Sequence, residues 1–171
     1  MLKMFSTQLA GLFNRLMEKE EFPIEDGARL LAQAAAGDGK IYIFGTDEMK
    51  AIELEAIYGE EPLQSAAILS EETALESADR VLIVSRYADD EEAVGMARIL
   101  QEKGIPFVAV STVRNESEGL SSLADVHIDL RIKKGLLPDD MGNRVGYPTS
   151  MAALFIYYGL RFTIEEILEE Y

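Results

Sequence analysis

The sequence contains no cysteine, and histidine occurs only once in its 171 residues. Disulfide bonds and thiolate chemistry are therefore excluded, which is compatible with a reducing cytosol. Basic residues are also few, because 16 lysines and arginines stand against 31 aspartates and glutamates, for a net charge of -15. This balance argues against nucleic acid and anionic membrane surfaces as partners.

Long apolar runs are missing as well. The longest, MAALFIYYGL at 151–160, is too short to span a bilayer. Residues 1–22 lack the basic region and long apolar run of a signal peptide. With 48% hydrophobic residues, the chain is long enough to bury roughly two thirds of its unfolded surface. We therefore expect a cytoplasmic globular protein with one domain, residues 1–171.

Several catalytic motifs are absent too. The stretch GTDEMK at 45–50 lacks the second glycine and the lysine-hydroxyl pair of a P-loop, and neither G-x-G-x-x-G nor G-x-S-x-G occurs. His127 lies in a predicted strand between Val126 and Ile128, which favours a packed side chain over a general base. No cluster of histidine and carboxylates has metal-ligand spacing, so we expect no metal and no cofactor.

What the sequence does contain is a change of hydrophobic period. Leucine and phenylalanine recur every three or four residues over 2–16 and predict an amphipathic helix, which packs on its own domain or against a partner helix. A second helix follows from Pro23 to Gly37. Helical patterns at 48–58 and 89–103 then alternate with five short apolar segments, at 40–44, 65–69, 80–85, 106–111 and 126–130.

Strands that alternate with helices predict a parallel sheet covered on both faces, a three-layer α/β/α sandwich. Residues 133–148 are rich in turn formers and predict a loop. A closing helix is expected from Pro148 to about Gly159, followed by a short acidic helix that Thr163 would cap. The helices are thus predicted at 1–37 and 148–171, around a sheet region at 40–132.

The carboxyl ends of three predicted strands carry small polar residues. With the flavodoxin-like strand order 2-1-3-4-5, a ligand crevice would lie between the first and third strands. The residues at these strand ends are Gly45, Thr46, Ser85, Arg86, Ser111 and Thr112. Their hydroxyl and backbone N–H groups can coordinate an anion, or the hydroxyls can simply cap the helices that follow.

Two stretches carry a family resemblance: LAQAAAGDGKIYIFGT at 31–46, and 78–130, which begins ADRVLIVS and contains GIPFVAVS and LADVHI. Over roughly 25–132 the chain resembles a sugar isomerase (SIS) domain, and within that group the single-domain phosphoheptose isomerase-like proteins. The resemblance implies a flavodoxin-like sandwich with five parallel strands, a homodimer or homotetramer, and a pocket for a phosphorylated sugar. The six residues at the strand ends would then surround that sugar, with Arg86 supplying positive charge.

The chain departs from the SIS pattern where phosphate is usually held. The phosphate turn after the third strand, Ser-x-Ser-Gly-x-Thr in form, is replaced by SRYADD at 85–90, and the first strand is followed by Asp47 and Glu48. Carboxylates near a dianion would cost several kcal/mol, although acidic residues also stabilise the first turn of a helix and can point to water. RIKKG at 131–135 and Arg144 can contact a phosphate or stay solvated.

The glutamates on and after the first crossover helix are the candidate bases for a sugar-phosphate isomerase of the aldose-ketose type, if one of them is desolvated. Of these, Glu55 and Glu60 are selected, although the pattern favours a solvated acidic face over a catalytic role. Two hypotheses remain open: a sugar-phosphate-binding SIS protein, and a non-catalytic homodimeric interaction module that has lost phosphate binding.

Overall fold

The computed structural model describes residues 1–115 and 119–171. At its centre lies a five-stranded parallel sheet in the order β2-β1-β3-β4-β5. The predicted fold class and strand order are confirmed. The strands are β1 (Ile41–Gly45), β2 (Ala66–Ile68), β3 (Arg80–Tyr87), β4 (Phe107–Thr112) and β5 (Val126–Asp129).

Helices cover both faces of the sheet. One face carries α1 (Leu2–Lys19), α2 (Glu21–Ala36), α3 (Lys50–Tyr58) and α6 (Thr149–Glu169). The other face carries α4 (Glu91–Lys103) and the single-turn α5 (Leu120–Leu123), which the sequence pattern does not predict.

The apolar strands are buried because both sheet faces are covered. Every residue of β4 is buried. Along β3, Leu82 and Val84 point into the core under α2 and α6, whereas Val81 and Ile83 point into the core under α4. This two-sided burial explains why the strands are near-continuous hydrophobic runs rather than alternating ones.

The last third of the chain differs from the expectation in two ways. The predicted loop at 133–148 contains a small antiparallel hairpin, β6 (Leu137–Pro138) and β7 (Arg144–Val145). The predicted break between two C-terminal helices is wrong, because α6 is continuous over 21 residues. Thr163 does not cap a helix; its hydroxyl donates to the Gly159 carbonyl at 2.9 Å, within the same helix.

Within residues 1–115 and 119–171, no helix combines the length and the apolar character needed to cross a membrane.

Candidate functional site

The carboxyl ends of β1 and β3 lie side by side at the point where strand order reverses. The Thr46 N–H donates to the Val84 carbonyl at 3.1 Å, so the two strand ends are joined directly. A Cβ on Gly45 would lie 2.4 Å from the carbonyl oxygen of Met49, so only glycine fits at this turn. We call the space above these two strand ends the crevice.

A carboxylate from the turn after β1 points into the crevice. Arg86 donates to Glu48 from Nε to Oε1 at 2.8 Å and from Nη2 to Oε2 at 2.7 Å. The Thr149 hydroxyl donates to the same Oε1 at 2.7 Å. Glu48 is therefore held by these donors, and the positive charge expected of Arg86 is already paired. We call the place of the Glu48 carboxylate, between Arg86 and Thr149, the anion position.

The electrostatics of the anion position favour a negative charge. The hydrogen bonds from Arg86, together with the bond from Thr149, lower the pKa of Glu48 to about 2. Glu48 in turn raises the pKa of Arg86. Thr149 is also the first residue of α6, and the N-terminus of a long helix carries partial positive charge and unpaired N–H groups. The turn after β1 thus places a carboxylate of the protein itself between these donors.

The turn after β3, where SIS proteins hold phosphate, is closed by internal hydrogen bonds. Asp90 caps α4 by accepting from the Ala93 N–H at 2.9 Å. The Ala88 N–H donates to the Thr112 carbonyl at 2.9 Å, and the fully buried Ser85 hydroxyl donates to the Tyr87 carbonyl at 2.7 Å. These groups are unavailable to an anion unless the turn opens.

The two hydroxyls predicted at the end of β4 also have partners inside the protein. Ser111 Oγ lies 2.7 Å from His127 Nε2, and Thr112 Oγ1 accepts from the Ile132 N–H at 3.2 Å. Both hydroxyl residues are fully buried. Burial lowers the pKa of His127, so this side chain is a neutral packed residue, as its apolar neighbours indicate.

Three further groups from the β1 side lie near the crevice. Thr46 is 1% exposed, and its hydroxyl has no hydrogen-bond partner among the residues that the structure describes. Lys50 donates from Nζ to the Gly45 carbonyl at 3.1 Å. Glu53 is buried and accepts the Gly45 N–H at 2.8 Å. Buried polar atoms without partners are rare, so the Thr46 hydroxyl has hydrogen-bonding capacity for a water or a ligand.

The two glutamates selected from the sequence as bases lie away from the anion position. Glu55 accepts a hydrogen bond from the Tyr158 hydroxyl at 2.6 Å, and Tyr158 is nine residues, or roughly 13 Å, along α6 from Thr149. Glu60 lies two residues beyond the end of α3, at the end of the helix opposite to the strand ends. Neither residue is part of the crevice as the structure places it.

The basic cluster after β5 is largely used for structure. Arg131 donates from Nε to the buried Glu20 at 2.8 Å, and Arg144 donates to the carbonyls of Gly135 and Leu136. Lys133 and Lys134 are exposed. At the turn after β3, Arg114 stacks on the Tyr87 ring, 4.0 Å from its centroid, and pairs with Asp89. Of the residues described, no three histidines or carboxylates are grouped so as to hold a metal ion.

The sequence did not predict Thr149 as a partner of the site, and it left open whether Glu48 faces the crevice or water. Nothing local could pair them, since 101 positions separate them. Glu53 is one of the glutamates on the first crossover helix and was not selected as a base, although its spacing indicates burial. Met49, Ile52 and Ala56 form a buried stripe on the turn and helix after β1, and Glu53 shares that face at helical spacing.

The chain is similar in sequence to a bacterial protein and similar in fold to solved structures. The chain is 42% identical over 172 residues to "Uncharacterized protein YwjG" of Bacillus subtilis, covering 100% of this chain and 99% of that protein. A phosphoheptose isomerase from Francisella tularensis has a similar fold, with a TM-score of 0.65, 12% identity, and coverage of 96% of this chain and 98% of that one.

The fold is also similar to that of the hypothetical protein MJ1247 from Methanococcus jannaschii, whose inferred function is that of a 3-hexulose-6-phosphate isomerase. The TM-score is 0.61 and the identity is 15%, with coverage of 99% of this chain and 89% of that one. The resemblance to SIS proteins is thus confirmed at the level of the fold. The model of one family, Domain of unknown function (DUF2529), matches residues 1–168, and the chain belongs to that family.

Proposed function

We propose that this protein binds a sugar phosphate, or a related anionic carbohydrate derivative, in the crevice between β1 and β3. One observation carries the proposal: Arg86, Thr149 and the N-terminus of α6 converge on a single anionic group at the strand-order switch point. A phosphoryl group offers oxygens to the same donors, and guanidinium groups bind phosphate in the same two-pronged manner as carboxylate. The ligand would therefore replace the Glu48 carboxylate at the anion position.

Displacing the Glu48 carboxylate from Arg86 costs little free energy. The Arg86 side chain is 45% exposed and that of Glu48 is 27% exposed, and ion pairs in such a setting contribute about 0–1 kcal/mol. Giving up the pair would weaken ligand binding by roughly fivefold. Because Glu48 is on the turn after β1, it can leave without disturbing a strand, and the Thr46 hydroxyl and Lys50 would remain beside the ligand.

Relatives with this fold support the ligand class. The Francisella tularensis protein is a phosphoheptose isomerase, and the Methanococcus jannaschii protein has an inferred 3-hexulose-6-phosphate isomerase function. A third structure of the same fold, the NanR protein of Vibrio vulnificus, is complexed with ManNAc-6P. All three names point to phosphorylated sugars, and none specifies which sugar this chain would take.

The test is a calorimetric titration with pentose, hexose and heptose phosphates, each beside its unphosphorylated sugar. We expect heat with at least one phosphate and none with the matching sugar. Arg86→Ala should weaken that binding by roughly 10- to 100-fold, because it removes a charged hydrogen-bond donor. Arg98→Ala, an exposed arginine on α4, is the matched control. Absence of heat with every phosphate, or equal affinities in the two variants, would reject the proposal.

The second candidate is a non-catalytic interaction module that has lost phosphate binding. It is favoured by the closed turn after β3, where Asp90 caps α4 and the Ala88 N–H bonds to Thr112. On this hypothesis Glu48 fills the anion position permanently. Titrations without heat, both for the native chain and for a variant lacking the Glu48 carboxylate, would favour the module.

If the bound sugar is also isomerised, we assign the base to Glu53 rather than to Glu55 or Glu60. Glu53 is the buried carboxylate in contact with the end of β1, and desolvation is what an enolising base requires. Glu53→Gln should then abolish aldose-ketose conversion of the bound phosphate while binding persists. Conversion that survives in this variant but not in Glu55→Gln would reverse the assignment.

A further inference from the structure

The hydrogen bonds around the Glu48 carboxylate describe the shape of the group that the anion position fits. Arg86 donates from Nε to one oxygen of Glu48 at 2.8 Å and from Nη2 to the other oxygen at 2.7 Å. Two donors of one guanidinium thus meet the two oxygens of one planar group, which is the pairing that arginine makes with carboxylates. The Thr149 hydroxyl adds a third hydrogen bond, to Oε1 at 2.7 Å.

A phosphoryl group needs more donors than a carboxylate does. At pH 7 a phosphate monoester carries about 1.5 to 2 negative charges and has three terminal oxygens that accept hydrogen bonds strongly. A carboxylate carries one charge on two oxygens. The three hydrogen bonds from Arg86 and Thr149 are directed at two oxygens. A third oxygen would therefore need donors from another part of the crevice.

The turn after β3 does not offer those donors. The Ala88 N–H donates to the Thr112 carbonyl at 2.9 Å, and the Asp90 N–H donates to the Tyr87 carbonyl at 3.2 Å. The Asp90 side chain accepts from the Ala93 N–H at 2.9 Å, in the first turn of α4. A helix N-terminus is a common place for phosphate, but a carboxylate of the protein already caps this one.

The charges beside the crevice match a single negative charge on the ligand. Arg86 and Lys50 supply two positive charges, and the buried Glu53 supplies one negative charge. Lys50 and Glu53 both contact Gly45, through its carbonyl and its N–H respectively. The net charge of these three side chains is +1. A carboxylate neutralises it, whereas a phosphate dianion leaves a negative charge near Glu53 and the displaced Glu48.

We infer that the ligand of the crevice is a sugar acid, and that a hexuronate presents its C6 carboxylate to Arg86 and Thr149. The inference rests on the proposed function and names which anionic carbohydrate derivative is bound. Exchange of the Glu48 carboxylate for that of the ligand keeps the same three hydrogen bonds. The buried Thr46 hydroxyl, which has no partner among the residues that the structure describes, and Lys50 are then free to bind sugar hydroxyls.

The test is a calorimetric titration of the native chain with ligands that differ only in the group at C6. Each set contains a hexuronate, the 6-phosphate of the corresponding hexose and the neutral hexose, in the gluco, galacto and manno configurations. We expect one hexuronate to bind at least roughly tenfold more tightly than its 6-phosphate, a difference of about 1.4 kcal/mol. The 6-phosphate should still give measurable heat, and the neutral hexose should give none.

The outcomes separate this inference from the proposed function. A 6-phosphate that binds as tightly as its hexuronate, or more tightly, would overturn the inference and leave the proposed function standing. Absence of heat with every hexuronate and every phosphate would reject both.

Arg86→Lys tests whether the shape of the guanidinium selects the carboxylate. Lysine keeps the positive charge but cannot donate two parallel hydrogen bonds to one carboxylate. We expect hexuronate affinity to fall by roughly tenfold and phosphate affinity to fall less, so that the preference for the hexuronate disappears. Arg98→Lys, at an exposed arginine on α4, is the matched control and should keep the preference. Far-ultraviolet circular dichroism shows whether each variant is folded. An unchanged preference in folded Arg86→Lys would contradict the inference.

Discussion

Glu48 is the residue on which the interpretation of the crevice depends. Acidic residues in the first turn of a helix usually stabilise that turn and face water. Here the carboxylate instead accepts hydrogen bonds from two side chains that are 38 and 101 positions away in the sequence. The donors and the carboxylate that they hold are thus provided by the same chain.

The low pKa of Glu48 predicts how the free energy of unfolding depends on pH. Its folded-state pKa, about 2, lies below the ordinary value of 4.5. The ion pair therefore stabilises the fold fully above pH 4.5, and this contribution is lost as the pH falls toward 2. Glu48→Gln should unfold more easily than the native chain at pH 7 by about 1 kcal/mol, after allowance for solvent screening. The difference should shrink progressively below pH 4.5.

Urea denaturation at pH 7, 5, 4 and 3 measures this difference. Asp47→Asn is the control, because Asp47 is the exposed neighbour and makes no ion pair within the part of the chain that the structure describes. A Glu48→Gln difference that stays constant from pH 7 to pH 3 would show that the carboxylate is not held by Arg86.

At the scale of the elements, α6 joins the site to the rest of the fold. It starts at Thr149, beside the anion position, and continues past Tyr158 to Glu169. The sequence predicted a break, since Gly159 and a threonine followed by glutamates resemble a helix end and a new start. Tertiary packing overrides those local signals, and the Thr163 hydroxyl bonds back to the Gly159 carbonyl.

A continuous α6 predicts that Gly159→Ala stabilises the protein. A Cβ at this position would make ordinary contact with Ile24, at 3.5 Å from Cγ2. Alanine is favoured over glycine in a helix interior by about 0.5–1 kcal/mol. Gly95→Ala in α4 is the matched case, because a Cβ there would meet nothing within 4 Å.

Chemical denaturation of both variants at one protein concentration provides the measurement. We expect the free energy of unfolding to rise in each by a similar amount. A loss of stability in Gly159→Ala alongside a gain in Gly95→Ala would indicate that the helix ends at Gly159 after all.

The strands could be predicted from the sequence because they lie in the buried middle layer of the sandwich. Each is largely buried on both faces, and a short apolar run such as VLIV at 81–84, bounded by Arg80 and Ser85, is typical of a buried strand. Their observed bounds differ from the predicted ones by one or two residues. Side-chain pairing across the crevice was not predictable, since it joins Glu48, Arg86 and Thr149 from three separate elements.

At the scale of the whole molecule, the charge distribution is the main constraint. A net charge of -15 repels anionic ligands at long range, so an anion site needs local donors and exclusion of other carboxylates. The crevice supplies Arg86 and Lys50 but also contains Glu48 and Glu53.

The most direct test of the account replaces the internal anion. Glu48→Gln removes the charge that occupies the anion position and leaves Arg86 and Thr149 in place. Calorimetric titration with inorganic phosphate should therefore show binding at least roughly tenfold tighter than in the native chain, since competition and repulsion are both removed. In Glu48→Gln combined with Arg86→Ala this gain should disappear. Equal phosphate affinity in the native chain and in Glu48→Gln would contradict the claim that Glu48 occupies an anion site.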